Sequence, residues 1–156
     1  SLRQALDGTQ LHLAELGGQV RIPPGVSDGQ KMRLSGKGPM GPRGRGDLIL
    51  KIAVAPPPGY ERQGDNLQVD LPVTVGQAYF GTQLDVPTPE GSLVKLNVPK
   101  QSQSGQRLRL RHKGMPTKGG ARGHLHVRIL VRTPPEGNEE LEQLLRDLDA
   151  YYEGAQ

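Results

Sequence analysis

The segment QALDGTQL, from Gln4 to Leu11, recurs as QAYFGTQL, from Gln77 to Leu84, with six of the eight positions identical. A match of this length within 156 residues indicates an internal repeat, in which each copy forms the same structural unit. Three further matches follow in the same order: GQKMRL (29–34) with GQRLRL (105–110), Lys37-Gly38 with Lys113-Gly114, and RGDL (45–48) with RGHL (122–125). The offsets are 73, 76, 76 and 77 residues, so only the loops differ in length. The sequence is therefore a tandem duplication.

Each copy contains short segments in which apolar and polar residues alternate, a pattern that predicts half-buried β-strands. The matched segments are Leu11-His12-Leu13 with Leu84-Asp85-Val86, 20–22 with 94–98, 32–34 with 108–110, and 48–54 with 125–131. A short helical turn begins each copy, at residues 2–6 and 75–80. Regularly spaced short strands are typical of β-sandwiches and small barrels. The sequence predicts a mostly β fold with domains at residues 1–59 and 60–134, joined by the proline-rich linker 55–59.

The sequence pattern changes from strand-like to helical after Pro134-Pro135. Asn138 is a favourable N-cap, and Glu139 and Glu140 suit the positive end of a helix dipole. The apolar residues that follow fall on one helical stripe, and they are Leu141, Leu144, Leu145, Leu148 and Tyr152. An isolated helix of under ~12–15 residues is marginal in water. The sequence therefore predicts an amphipathic helix within residues 135–156, and we expect a second copy of the chain to cover its apolar stripe.

Composition narrows the class of protein. The chain has no cysteine, which excludes disulfides and thiolate metal sites and favours a cytoplasmic location. No apolar segment approaches the ~20 residues that cross a bilayer, so we expect no membrane contact. The formal net charge is +4 and the pI is near 9.6, values that permit contact with nucleic acid without requiring it.

The sequence contains no convincing catalytic or metal site. Residues 25–29 fit a nucleophile-elbow pattern, but Pro23-Pro24 stands where that motif requires a strand. His124 and His126 share one face of a predicted strand, yet no third ligand follows nearby and Asp47 replaces His124 in the first copy. We therefore predict neither enzymatic activity, nor a cofactor, nor a bound metal.

Two groups of residues are candidates for binding. Arg107, Arg109 and Arg111 alternate with leucines, and they are either a solvated strand face or a sequence-independent contact with nucleic-acid phosphates. Leu11 and Leu13 are either core residues or part of an edge strand that borders a groove for extended peptide. The sequence pattern leaves both alternatives open.

Five segments together resemble the C-terminal domains of DnaJ co-chaperones, in family order and over nearly the whole chain. They are RIPPGVSDGQKMRLSGKG (21–38), RGRGDLIL (43–50), YERQGDNL (60–67), DVPTPEGSLVKLNVP (85–99) and SGQRLRLRHKGMP (104–116). The resemblance implies two tandem β-sandwich-like domains and a C-terminal dimerisation helix. It also implies binding of non-native polypeptides by the first domain and delivery of these clients to a DnaK-type, ATP-dependent chaperone.

The resemblance assigns the peptide groove to Leu11, Leu13 and Leu50. Without cysteine repeats the chain resembles the zinc-free class, some members of which are named for binding curved DNA. The J domain with its His-Pro-Asp motif lies outside this chain, and Ser1 follows the position of the family's first strand, which forms one wall of the groove. Leu11 also stands where the family often has lysine. We therefore expect a homodimeric client-binding module, with non-specific DNA binding as the alternative function.

Overall fold

The computed structural model describes residues 1–14 and 18–153. Strands predominate over helices among these residues. The helices are α1 (Leu2–Asp7), α2 (Val75–Phe80) and α3 (Glu139–Glu153). The strands before residue 60 are β1 (Thr9–Leu13), β2 (Gly18–Ile22), β3 (Lys31–Leu34), β4 (Met40–Gly41), β5 (Gly44–Arg45) and β6 (Leu48–Lys51). Those after it are β7 (Glu61–Gln63), β8 (Asn66–Thr74), β9 (Thr82–Pro87), β10 (Leu93–Val98), β11 (Arg107–Leu110) and β12 (Leu125–Arg132). The predicted mostly β fold with a C-terminal helix is confirmed.

The first copy consists of paired antiparallel strands. β1 pairs with β2, β3 with β6, and β4 with β5. The sequence predicted that the last strand of this copy extends to residue 54, whereas β6 ends at Lys51. The prediction was too long because the backbone N–H of Val54 donates to Asp28 Oδ1 at 2.7 Å and not to a neighbouring strand.

The second copy is larger because it contains a four-stranded sheet in the order β11-β12-β8-β7, beside the β9–β10 pair. β12 lies between β11, which is antiparallel to it, and β8, which is parallel. One face of β12 is fully buried through Leu125, Val127 and Ile129, each 0% exposed. Alternation of the apolar residues places this face against the core.

The two copies share local geometry. Each of the helices α1 and α2 begins with a capping box, formed by Ser1 and Gln4 in one copy and by Thr74 and Gln77 in the other. In such a box the hydroxyl accepts from a backbone N–H of the first turn while the glutamine accepts from the capping residue. α1 and α2 end at glycines with positive φ of 78° and 75°, a conformation that costs glycine little.

Side chains tie the copies together near the proline-rich linker. Arg62 forms an ion pair with Asp28 at 2.8 Å, across the junction between the copies. Directly after the linker, within the second copy, the hydroxyl of Tyr60 donates to the carbonyl oxygen of Pro87 at 2.7 Å, and burial raises the pKa of Tyr60. One hydrophobic cluster includes buried residues of both copies. These contacts make the junction part of the packed structure, whereas the domain boundaries at residues 59 and 134 stay predictions.

The helix α3 begins after Asn138, whose Oδ1 accepts from the N–H of Leu141 at 2.9 Å. Asn138 is therefore the N-cap that the sequence predicts. No residue of α3 belongs to the hydrophobic clusters of the described residues. Leu144 and Leu145 are 58% and 38% exposed, so the apolar stripe is uncovered in one chain. Within the part of the chain that the structure describes, no helix has the length and apolarity to cross a membrane.

Candidate functional site

An apolar cleft of about 220 Å³ opens between β1 and β6 in the first copy. Leu11, Leu13 and Leu50, predicted as groove residues, all line this cleft. The buried side chains that line it are Ala5, Val20, Ile22, Val26 and Val54. The structure thus brings together three leucines from two strands that are not paired with each other. Their shared surface is apolar and suits an apolar ligand side chain.

The three leucines differ in burial. Leu11 is 39% exposed, whereas Leu13 and Leu50 are half-buried and pack against the main hydrophobic cluster. Leu13 and Leu50 therefore belong both to the cleft wall and to the edge of the core. Leu11 offers the most free apolar surface of the three.

Both strands of the cleft have an unpaired edge. Among the described strands, β1 pairs only with β2, and β6 pairs only with β3. Unpaired strand edges present backbone N–H and C=O groups that can pair with another extended chain. The cleft therefore combines apolar side chains with free backbone hydrogen-bonding groups.

The second copy has no equivalent opening. Val86 and Val127 correspond to Leu13 and Leu50, and they are only 1% and 0% exposed. In the second copy β8 pairs with the edge of β12 that corresponds to the edge of β6 at the cleft. The corresponding side chains are therefore buried in the second copy, whereas in the described residues of the first copy they line the cleft.

A second cleft, of about 730 Å³, shares Leu13 and Leu50 with the first and extends toward Lys37, Met40 and Arg45. Met40 is 75% exposed, so this cleft also presents apolar surface. The sequence pattern did not single out these three residues as binding residues. Lys37 and Arg45 appeared only as matched positions of the repeat, and the two-residue strands β4 and β5, which carry Met40 and Arg45, are too short to give a periodic signal.

The residues that correspond to Lys37 and Arg45 hold a carboxylate in the second copy. Lys113 Nζ lies 2.7 Å from Glu90 Oε1, and the Arg122 guanidinium lies 3.2 Å from Glu90 Oε2. Burial would raise the pKa of Glu90, but the hydrogen bonds from Arg122 and Lys113 outweigh it and lower that pKa. This ionic cluster lies in the second copy at the position that corresponds to Lys37 and Arg45 of the second cleft.

A family model described as "DnaJ C terminal domain" matches residues 2–134. The chain belongs to this family. DnaJ C-terminal domains are parts of co-chaperones that act in protein folding, and the family is not a family of enzymes. The match covers both copies and ends just before the segment that leads to α3.

In this DnaJ C-terminal region the predicted basic residues lie at one edge of the four-stranded sheet. Arg107 and Arg109 lie on β11 and are exposed, and Arg111 follows the strand. Arg109 stands opposite His126 on β12. Within residues 1–14 and 18–153, no three His, Asp or Glu side chains lie close enough to hold a metal ion. Clustered arginines suit an anionic partner.

The candidate dimerisation residues of the DnaJ C-terminal region lie along α3. Leu141 and Leu148 are half-buried, while Leu144, Leu145 and Tyr152 are exposed. Six acidic residues and one basic residue lie between positions 139 and 153. The helix therefore carries an apolar stripe beside a strongly acidic surface.

Proposed function

We propose that the first copy binds extended apolar segments of non-native proteins in the cleft lined by Leu11, Leu13 and Leu50. The observation that carries this proposal is an apolar cleft bordered by β1, whose other edge has no strand partner among the described residues. The client segment pairs with the free edge of β1 through backbone hydrogen bonds, which every sequence can form. Its alternate side chains enter the cleft, which selects large apolar residues.

A cleft of this kind suits transient binding. Backbone pairing tolerates many sequences, while a few apolar side chains contribute about 1.5–3 kcal/mol each on full burial. Association and ordering of an unfolded segment oppose this gain by several kcal/mol. The expected affinity is modest, so a client is held long enough to prevent aggregation and is then released.

We also propose that α3 makes the protein a homodimer. Leu144 and Leu145 are 58% and 38% exposed, and Leu141 and Leu148 are half-buried. Covering the exposed parts of these leucines on two chains contributes very roughly 3–10 kcal/mol before costs. Association costs an estimated ~4–15 kcal/mol, so we expect a dimer of modest affinity, to which burial of Tyr152, 64% exposed in one chain, also contributes. A dimer offers two clefts to one client, and linked sites bind more tightly than either site alone.

Delivery of clients to a DnaK-type chaperone completes the proposed role. The resemblance assigns contact with that chaperone to a J domain, and the region described here is proposed to bind the client.

The test uses a fluorescent peptide with alternating leucines, and a control peptide in which serines replace the leucines. We expect saturable anisotropy changes with the leucine peptide and much weaker changes with the serine peptide. Amide chemical-shift changes should concentrate around Leu11, Leu13 and Leu50. Equal binding of both peptides, or shift changes confined to the second copy, would overturn the proposal.

A further inference from the structure

The strand β11 forms a free edge of the four-stranded sheet. It pairs with β12 on one side and has no strand partner on the other among the described residues. Arg107 and Arg109 point to the same face because they are two positions apart, a spacing of about 6.6–6.8 Å along a strand. The edge therefore presents free backbone groups beside evenly spaced guanidinium groups.

The corresponding edge of the first copy is neutralised by an aspartate. Arg33, which corresponds to Arg109, donates through Nε to Asp47 Oδ2 at 2.6 Å. The other oxygen of Asp47 accepts from the backbone N–H of Gly36 at 3.0 Å, and these contacts lower the pKa of Asp47. One carboxylate thus neutralises the arginine and also closes the turn that follows β3.

A histidine replaces this aspartate in the second copy. His124 occupies the position of Asp47, and its Nδ1 accepts from the backbone N–H of His112 at 3.2 Å. The turn is therefore closed in the same way, but without a negative charge. Desolvation, Arg109 and the neighbouring histidines lower the pKa of His124, which agrees with a neutral ring that accepts a hydrogen bond.

Replacing aspartate with histidine leaves the arginines of this edge without an acidic neighbour. Among the described residues, no carboxylate lies within ion-pair distance of Arg107, Arg109 or Arg111. The nearest pair on the same sheet joins Arg128 to Asp70 at 2.7 Å, so that aspartate is already occupied. The face is consequently cationic, and His126 stands beside it.

We propose that the free edge of β11 docks an extended acidic peptide segment, whose alternate Asp or Glu side chains pair with Arg107 and Arg109. An added strand repeats its side chains on one face every two residues, so its charges match the arginine spacing. Oppositely charged cross-strand pairs stabilise such a sheet, and like charges destabilise it. The arginine row therefore also prevents two copies of β11 from pairing with each other.

Nucleic acid suits this edge less well than peptide does. Tyrosine, phenylalanine and tryptophan are absent from β11 and β12, so aromatic platforms that could stack bases are missing from these strands. The free backbone groups of a strand edge, in contrast, match those of an extended peptide. The docking site is separate from the apolar cleft, and it extends the proposed function to acidic segments.

The test uses a fluorescent peptide of alternating glutamate and threonine, which carries no large apolar side chain for the cleft. A peptide with glutamine in place of glutamate is its control. On the protein, His124→Asp restores the arrangement of the first copy and should neutralise Arg109. We expect it to weaken binding about two- to fivefold, the worth of one cross-strand charge pair.

Two further variants make the result decisive. Asp47→His should expose Arg33 and create a second site, which raises the stoichiometry from one peptide to two per chain. His12→Asp makes the same change of residue at an exposed position of β1 and should leave binding unchanged. Circular dichroism melts establish that each variant is folded.

Three outcomes would overturn the proposal. One is equal binding of the glutamate and glutamine peptides to the unaltered protein. Another is equal weakening by His124→Asp and His12→Asp. The third is tighter binding of random duplex DNA than of the acidic peptide, with an affinity for DNA that falls in His124→Asp and decreases steeply as the salt concentration rises. This result would assign the edge to nucleic acid.

Discussion

Replacing Leu11 with serine should weaken client binding while leaving the chain folded. Leu11 is 39% exposed before a client binds, and full burial of a leucine is worth about 1.5–3 kcal/mol. Covering the exposed part therefore contributes about 0.6–1.2 kcal/mol, which corresponds to about a three- to sevenfold change in Kd. The part already buried contributes about 1–2 kcal/mol to folding, so the melting temperature should fall by only a few degrees.

The neighbouring strand supplies a matched control. Ile49 is 63% exposed and lies next to Leu50 on β6, where alternation directs it to the opposite face. Ile49→Ser removes a similar apolar side chain from the same domain without altering the cleft. We expect its affinity for the leucine peptide to match that of the unaltered protein.

Anisotropy titration with a labelled leucine peptide measures both variants, and suppression of aggregation of an unfolded client provides a second measurement. The reasoning would be refuted if Leu11→Ser and Ile49→Ser bound the peptide equally well. A melting temperature that collapsed in Leu11→Ser would instead assign Leu11 to the core. Leu13→Ser should weaken binding as well, at a larger cost to stability because Leu13 packs against the hydrophobic cluster.

Three further predictions concern assembly and stability. Ending the chain after Gly137 should give a folded monomer with weaker client binding, and light scattering that finds the full chain already monomeric at tens of micromolar would contradict the dimer. Gly114→Ala should lower the free energy of unfolding by about 1–3 kcal/mol, because the added Cβ would lie 2.6–2.7 Å from backbone atoms of other residues. The control in thermal melts is Gly76→Ala, whose Cβ would meet nothing closer than 4.0 Å. Asp28→Asn should cost on the order of 1 kcal/mol at pH 7 by removing the ion pair with Arg62. The pKa of Asp28 is lowered in the folded state by a backbone hydrogen bond and by Arg62. The difference in the free energy of unfolding between Asp28→Asn and the unaltered protein should therefore persist above pH ~4 and vanish in more acidic solution. A constant difference in urea melts from pH 7 to pH 2 would contradict this.

The features that the sequence predicted are those with a local or repeated signal. The alternation around Leu11 and Leu13 predicted β1, and the N-cap Asn138 predicted the start of α3. Duplication strengthened the strand predictions because two copies with different surface residues kept the same apolar positions. The family match over residues 2–134 then confirmed the resemblance on which the groove assignment rests, while the roles of the groove residues stay predictions.

The features that the sequence did not predict depend on contacts between distant segments. Residues 66–74 alternate strictly, with Leu67, Val69, Leu71 and Val73 on one face. Pro72 within the segment argues against a central strand, and β8 was not predicted. Its formation depends on pairing with β12, which supplies the backbone partners along its whole length. Likewise, nothing near His124 indicates that its ring accepts a hydrogen bond from His112. Such contacts become visible only when the chain is folded.

The parallel pairing of β8 with β12 has a consequence for how this protein is made. Partners in this pair lie 58 residues apart, as in the contact between Asp70 and Arg128. At ~5–20 residues per second, the ribosome needs about 3–12 s to synthesise the intervening chain. During that time β8 pairs only with the short strand β7, at residues 66–68, so most of its length has no partner. Long-range β pairing is also slow after synthesis ends. The second copy thus passes through a stage in which it exposes the kind of extended apolar segment that a co-chaperone binds, so we expect nascent chains of this protein to be clients of the chaperone system they will join.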